Sequence, residues 1–77
     1  MPTIFNEKGF KFYFYMNEHL PIHVHVFKGN ATAKIELVPE IKLIKNRGFK
    51  TQELKNIIEL IIDHYDIIIN KWYETFN

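Results

Sequence analysis

Two runs of alternating apolar and polar residues, His23–Lys28 and Ala31–Leu37, are separated by only Gly29-Asn30. This arrangement restricts the possible folds more than any other feature of the chain. Two residues that begin with Gly, placed between alternating runs, predict a β-hairpin, because Gly readily adopts the positive φ that a type II′ turn needs. Such a tight turn also fixes which residues of the two strands face each other.

The register of this hairpin sorts its side chains onto two faces of the predicted sheet. One face pairs Lys28 with Ala31, Val26 with Ala33, and Val24 with Ile35, so it is apolar apart from its end. The other face pairs Phe27 with Thr32, His25 with Lys34, and His23 with Glu36. Since side chains alternate along a strand, two imidazoles are predicted to lie side by side, away from the core.

Shorter patterns predict further strands on both sides of the hairpin. Thr3-Ile4-Phe5 is followed by a turn-like segment, and Phe10–Tyr15 then alternates with a phenylalanine at every second position. Ile41–Lys45 is a weaker strand candidate, and the segment Asn46–Phe49 is predicted to be a polar turn.

The last third of the chain predicts a helix that begins at its N-cap, Thr51. Apolar residues recur there at steps of three and four. A straight helix to Phe76 would measure ~39 Å, whereas a compact chain of this size spans only ~30 Å. Either the helix overhangs the sheet, and Leu60 and Ile67 on its back pair with another chain, or a bend near Asp63–Asp66 folds its end back.

Together these elements predict one α+β domain over residues 1–77. A small curved antiparallel sheet of about four strands (1–50) would pack on one long C-terminal helix (51–76). A hydrophobic fraction of 47% agrees with a folded core, and the absence of cysteine agrees with a reducing compartment. The charged N-terminus and the lack of a long apolar run predict a cytoplasmic protein without a membrane segment.

Charge is distributed unevenly along the chain. Through Lys50 there are eight Lys and Arg against four acidic residues, and after it there are two against five. This asymmetry predicts either a surface for an anionic partner or simply two differently solvated faces.

Three of the four histidines, His19, His23 and His25, lie within seven residues. In one interpretation His23 and His25 act as acid and base on a phosphodiester, with Glu36 favouring the charged form of His23 and Lys34 opposing that of His25. The residues expected to contact RNA or a partner are Tyr13, Tyr15, Lys28, Lys34 and Arg47.

Two other interpretations of the histidines remain open. His19, His23 and His25 would bind zinc or another divalent metal ion, because two histidines at alternate positions of a strand form a usable chelate. Alternatively, the histidines are structural or belong to a protein interface. His64 is expected to be a half-exposed packing residue.

Several segments carry a resemblance to a known family: Met1–Phe5, the aromatic strand, Asn17-Glu18-His19, Pro21, His23–Val26, Asn46–Phe49 and Trp72. They resemble the small bacterial family named domain of unknown function 4160, although Ile22 stands where members often have a second Pro. The resemblance implies a toxin–antitoxin gene context and a small cognate protein partner. The chain is thus expected to be a toxin–antitoxin component that binds or cleaves RNA, with or without metal assistance. The alternatives are a non-catalytic interaction module, dimerising through its helix, and a divalent-metal-binding protein.

Overall fold

A computed structural model describes residues 3–15 and 18–76, which form an antiparallel sheet followed by two helices. In chain order the elements are β1 (Thr3–Glu7), β2 (Phe10–Tyr13), β3 (His23–Lys28), β4 (Ala31–Glu36), β5 (Lys42–Arg47), α1 (Thr51–Asp63) and α2 (Tyr65–Phe76). The strands lie in the sheet in the same order as in the sequence. The α+β class is therefore confirmed, with five described strands rather than about four.

The central hairpin has the predicted register. All six pairs between β3 and β4 are the expected ones, from His23 opposite Glu36 to Lys28 opposite Ala31. Gly29 has a φ of +60°, the sign that a type II′ turn requires at its first central position. The turn chemistry and the alternation of the strands thus agree with the structure in every pair.

The edges of the sheet differ in detail from the prediction. β1 extends to Glu7, and its turn into β2 has two residues with positive φ, Lys8 at 54° and Gly9 at 83°. β5 is shifted toward the C-terminus, so that Arg47 belongs to the strand rather than to a turn. All six residues of β5 are exposed, as expected for an edge strand without a cover.

The prediction of one long helix is confirmed only in part, because the helical segment is divided at His64. This residue has φ −113° and ψ 19°, and its backbone N–H donates to the carbonyl of Leu60. The bend alternative is the one that the structure contains, and the longest dimension of the described chain is 33 Å. At the start of α1, Thr51 is the first helical residue and Lys50 is the N-cap, whose N–H donates to Glu53 Oε1 at 3.1 Å.

The break allows both helices to bury an apolar face against the sheet. Tyr65, directly after it, donates its hydroxyl to the carbonyl oxygen of Leu37 at 2.9 Å. The buried apolar residues are Phe10, Phe12, Phe14, Ile22, Val24, Val26, Ala33, Ile35, Leu37, Phe49, Ile57, Leu60, Ile61, Ile68 and Trp72. The core thus lies between the apolar sheet face and the helices.

The patch predicted for self-association, Leu60 with Ile67, does not form. Leu60 is 3% exposed and belongs to the core, whereas Ile67 is 51% exposed. The periodicity of an uninterrupted helix placed both residues on its back, and the break at His64 changes which side of α1 faces the sheet. None of the described helices is long and apolar enough to span a membrane.

Candidate functional site

Two histidines and one glutamate converge at the start of β3. Strand alternation places His23 and His25 on the sheet face opposite the main core, and Glu18 reaches them from the connection before the strand. Glu18 Oε2 lies 3.0 Å from His23 Nε2 and 2.9 Å from His25 Nε2. The three atoms all lie within 4.8 Å of one another, and we call these residues the His–Glu cluster.

The His–Glu cluster is buried. The side chains of Glu18, His23 and His25 are 8%, 7% and 12% exposed. The two imidazoles lie side by side as predicted, but other side chains of the chain cover them. The Trp72 ring of α2 contacts His23 with ring centroids 5.4 Å apart, and Tyr15 meets His25 edge-on at 4.3 Å.

The hydrogen bonds of the cluster are incomplete. His23 Nδ1 lies 2.8 Å from the carbonyl oxygen of Pro21, to which it can donate only as N–H. In the neutral ring, Nε2 of His23 then carries a lone pair that faces the Glu18 carboxylate. Among the described residues, Glu18 Oε2 and His25 Nε2 are buried and have no hydrogen-bond partner, although they are close to each other.

Burial dominates the electrostatics around His25. It lowers the pKa of this imidazole; the Glu18 carboxylate opposes this shift, and the electrostatic influences of His23 and Lys34 add to it. The predicted influence of Lys34 is thus present, although desolvation is the larger cause. Burial likewise raises the pKa of Tyr13, which is stacked on His25 at 5.4 Å.

Two cavities flank the cluster and share Lys34 in their linings. One, of about 330 Å³, is bordered by Glu18, His23 and Glu36. The other, of about 360 Å³, is lined by Tyr13, Tyr15, His25, Thr32, Ala33, Lys34, Lys45 and Arg47. We call this second cavity the basic groove, since the described residues that line it include three cationic side chains and no carboxylate.

The structure brings some of the predicted site residues together. His23 and His25 are neighbours, and Tyr13, Tyr15, Lys34 and Arg47 all line the basic groove. Glu36 faces His23 in the register and borders the same cavity, but the carboxylate that contacts His23 belongs to Glu18.

Two predicted residues lie apart from the cluster. His19 is exposed and borders the first cavity without joining the group, so Glu18 takes the place expected for it. Lys28 shares the apolar sheet face with Phe10 and lies with its Nζ 4.9 Å above that ring. His64 is half-buried and stacks on Phe5 at 4.3 Å, in agreement with a packing role.

Sequence reasoning missed two residues of this region. Glu18 lies beside His19 in the histidine segment, but it belongs to a loop, where the sequence does not predict the direction of a side chain. Lys45 faces Lys34 across the last strand pair. Extending the hairpin register by one more strand would have placed it beside the predicted cations.

Comparison with known proteins identifies one family. A family model described as a domain of unknown function (DUF4160) matches residues 9–73, which include the whole His–Glu cluster and the basic groove. No curated protein and no solved structure matches the chain.

Proposed function

The chain belongs to the DUF4160 family, which is described only as a domain of unknown function, and we propose that it binds single-stranded RNA in the basic groove. One observation supports this proposal above the others. Lys34, Lys45 and Arg47 line the same groove as two tyrosine rings, and none of its lining residues in the described part of the chain is a carboxylate. Cations beside aromatic rings are the combination with which proteins hold single strands.

Each group of the groove has a part in this recognition. The cationic side chains of β4 and β5 bind backbone phosphates, which position a strand without reading its sequence. Tyr15 is 48% exposed and offers a ring on which a base stacks. Tyr13 is buried beneath it, in edge contact at 5.5 Å, and holds the Tyr15 ring in place.

The geometry favours binding over cleavage by the two histidines. A general acid or base must come within hydrogen-bond reach of the proton that it transfers. The Nε2 atoms of His23 and His25 both lie within 3.0 Å of Glu18 Oε2, and Nδ1 of His23 contacts the Pro21 carbonyl. We therefore propose a binding protein in which Glu36, His23 and His25 do not attack the bound strand.

Fluorescence anisotropy with a labelled, unstructured RNA of ten nucleotides tests the proposal. We expect a Kd of ~1–100 μM at physiological salt. Three phosphate contacts predict a slope of about −2 for log K against log salt, at ~0.7 per contact for single strands. Replacement by Gln of both Lys45 and Arg47 should lower the affinity at least ~10-fold and flatten the slope to about −0.7.

Further variants distinguish binding in the groove from a general effect of positive charge on RNA binding. Tyr15→Ser should weaken binding at least ~5-fold without changing the salt slope, because base stacking on an aromatic ring is worth ~1–3 kcal/mol. The matched control is Lys55→Gln with Lys71→Gln, which removes the same charge from the helices and should leave binding unchanged. Equal losses of RNA affinity in the two double variants would contradict binding in the basic groove. Equal affinity for DNA of the same sequence would contradict the proposal that RNA is the ligand.

We also propose that this RNA binding serves a toxin–antitoxin module and that the chain has a small protein partner. The support is the family resemblance together with the exposed edge of β5, where Leu43 and Ile44 are 41% and 46% exposed. An edge strand presents unpaired backbone groups to which a partner can add a strand.

A further inference from the structure

We infer that Glu18, His23 and His25 form a binding site for one divalent transition-metal ion. This site adjoins the groove in which RNA binding is proposed, since His25 belongs to both, but its donor atoms lie within the buried cluster. The donor set is two imidazole nitrogens and one carboxylate oxygen. Ions such as Zn²⁺, Mn²⁺, Fe²⁺ and Co²⁺ bind this combination in proteins.

Two of the three distances between donor atoms, those from Glu18 Oε2 to each imidazole nitrogen, fit a shared ion, and all three atoms lie within 4.8 Å of one another. Two bonds of ~2.1 Å at a right angle place their donor atoms ~3.0 Å apart, and a tetrahedral angle places them ~3.4 Å apart. Glu18 Oε2 lies 3.0 and 2.9 Å from the two Nε2 atoms, which corresponds to the right angle. Two histidines and a carboxylate on one face of an ion leave its other positions open.

The incomplete hydrogen bonds supply an independent indication. The side chain of Glu18 is more than nine-tenths buried, and its Oε2 has no hydrogen-bond partner among the described residues. Nε2 of His25, 2.9 Å away, is also a buried atom with no hydrogen-bond partner among the described residues, although the His25 side chain as a whole is 12% exposed. Buried polar atoms are normally satisfied, so two that converge on one point indicate a bound group. A cation at that point would satisfy both, and the Nε2 lone pair of His23 as well.

The surroundings of the cluster resemble those of metal-binding histidines. Such histidines usually donate their second ring N–H to a carbonyl or carboxylate, which fixes the ring and directs the other nitrogen at the ion. His23 Nδ1 makes this contact with Pro21 at 2.8 Å. The Tyr13 and Tyr15 rings contact His25 from two sides and restrict solvent around it.

The test is metal uptake by protein that was purified without a histidine tag and dialysed against a chelator. Calorimetric titration with Zn²⁺, Mn²⁺ and Co²⁺ should give one ion per chain for at least one of them. The visible spectrum of the Co²⁺ form reports nitrogen ligands directly. The melting temperature should rise by ~10–20 °C at a free metal concentration of a hundred times Kd, because the ion binds only the folded chain.

Two variants and two controls locate the ion. Glu18→Gln keeps the shape of the side chain but removes its charge, and His25→Ala removes a ligand. Each should weaken binding at least ~100-fold, since even changes around the ligands cost ~10–100-fold. His19→Ala and His64→Ala remove imidazoles outside the cluster and should bind as the wild type does.

Several outcomes would overturn the inference. The first is that folded wild-type protein takes up none of the three ions. Another is that uptake survives in folded Glu18→Gln or is lost in His19→Ala. Because Glu18→Gln is nearly isosteric, it remains informative if His25→Ala does not fold. Uptake is measured without RNA, so a failure of RNA binding would remove the proposed function and leave the metal site standing.

Discussion

At the scale of single residues, the Glu18 carboxylate determines what the two imidazoles contact. Without this carboxylate, His23 and His25 would be two rings on a sheet, and Glu36 would be the acidic neighbour of His23. With it, two imidazole nitrogens converge on one buried oxygen. The pKa of His25 is lowered, mainly by burial, which favours the neutral ring that can offer a lone pair.

Lys8 is a second residue whose role depends on local geometry. It has a φ of 54° in the β1–β2 turn, and this left-handed conformation costs a non-glycine residue ~1–2 kcal/mol. Lys8→Gly should therefore raise the free energy of unfolding by ~0.5–1 kcal/mol, measured by urea denaturation. Lys8→Ala is the control and should give no such gain, because alanine has the same strain. A loss of stability in Lys8→Gly would contradict this account of the turn.

At the scale of elements, the break at His64 determines what the helices present. A straight helix would have left Leu60 on the solvent side, but α1 buries Leu60 and α2 brings Trp72 to His23. His64 itself stacks on Phe5 and lies with Nε2 3.4 Å from Glu7 Oε1, so the break is held against β1. The helices thus cover the edge of the His–Glu cluster as well as the core.

Glutamate substitutions distinguish the broken helix from a straight one. Leu60→Glu should lower the free energy of unfolding by ~3 kcal/mol or more, because it buries a carboxylate in the core. Ile67→Glu should change it by less than ~0.5 kcal/mol, as is usual for exposed positions. Both values come from chemical denaturation followed by circular dichroism. Similar small effects in the two variants would mean that Leu60 is exposed.

At the scale of the whole molecule, positive charge predominates in the sheet and negative charge in the helices. Three cationic residues of β4 and β5, Lys34, Lys45 and Arg47, line the basic groove, whereas five of the nine acidic residues lie from Thr51 onward. Lys42 and Lys45 also lie on the edge strand, where lysine opposes pairing of one copy with another.

These features predict a monomer that pairs with a different protein. Light scattering should give the mass of one chain, 9.3 kDa, because the Leu60 and Ile67 patch is absent. Together with the small protein partner proposed above, the chain should elute as a complex in which hydrogen exchange slows at residues 42–47. A dimer of the chain alone would contradict the first expectation. Unchanged exchange in a complex would exclude β5 as the contact, and failure to form a complex would exclude the partner.

The sequence by itself determined the hairpin, its register and the two faces of the sheet. These depend on the φ of Gly29 and on an alternation of period two, which are local steric properties that neighbouring residues already fix. Tertiary structure alone decided the break at His64, the burial of Leu60 and the position of the Glu18 carboxylate. Each depends on which distant surface is available for packing, and short-range periodicity contains no information about that surface.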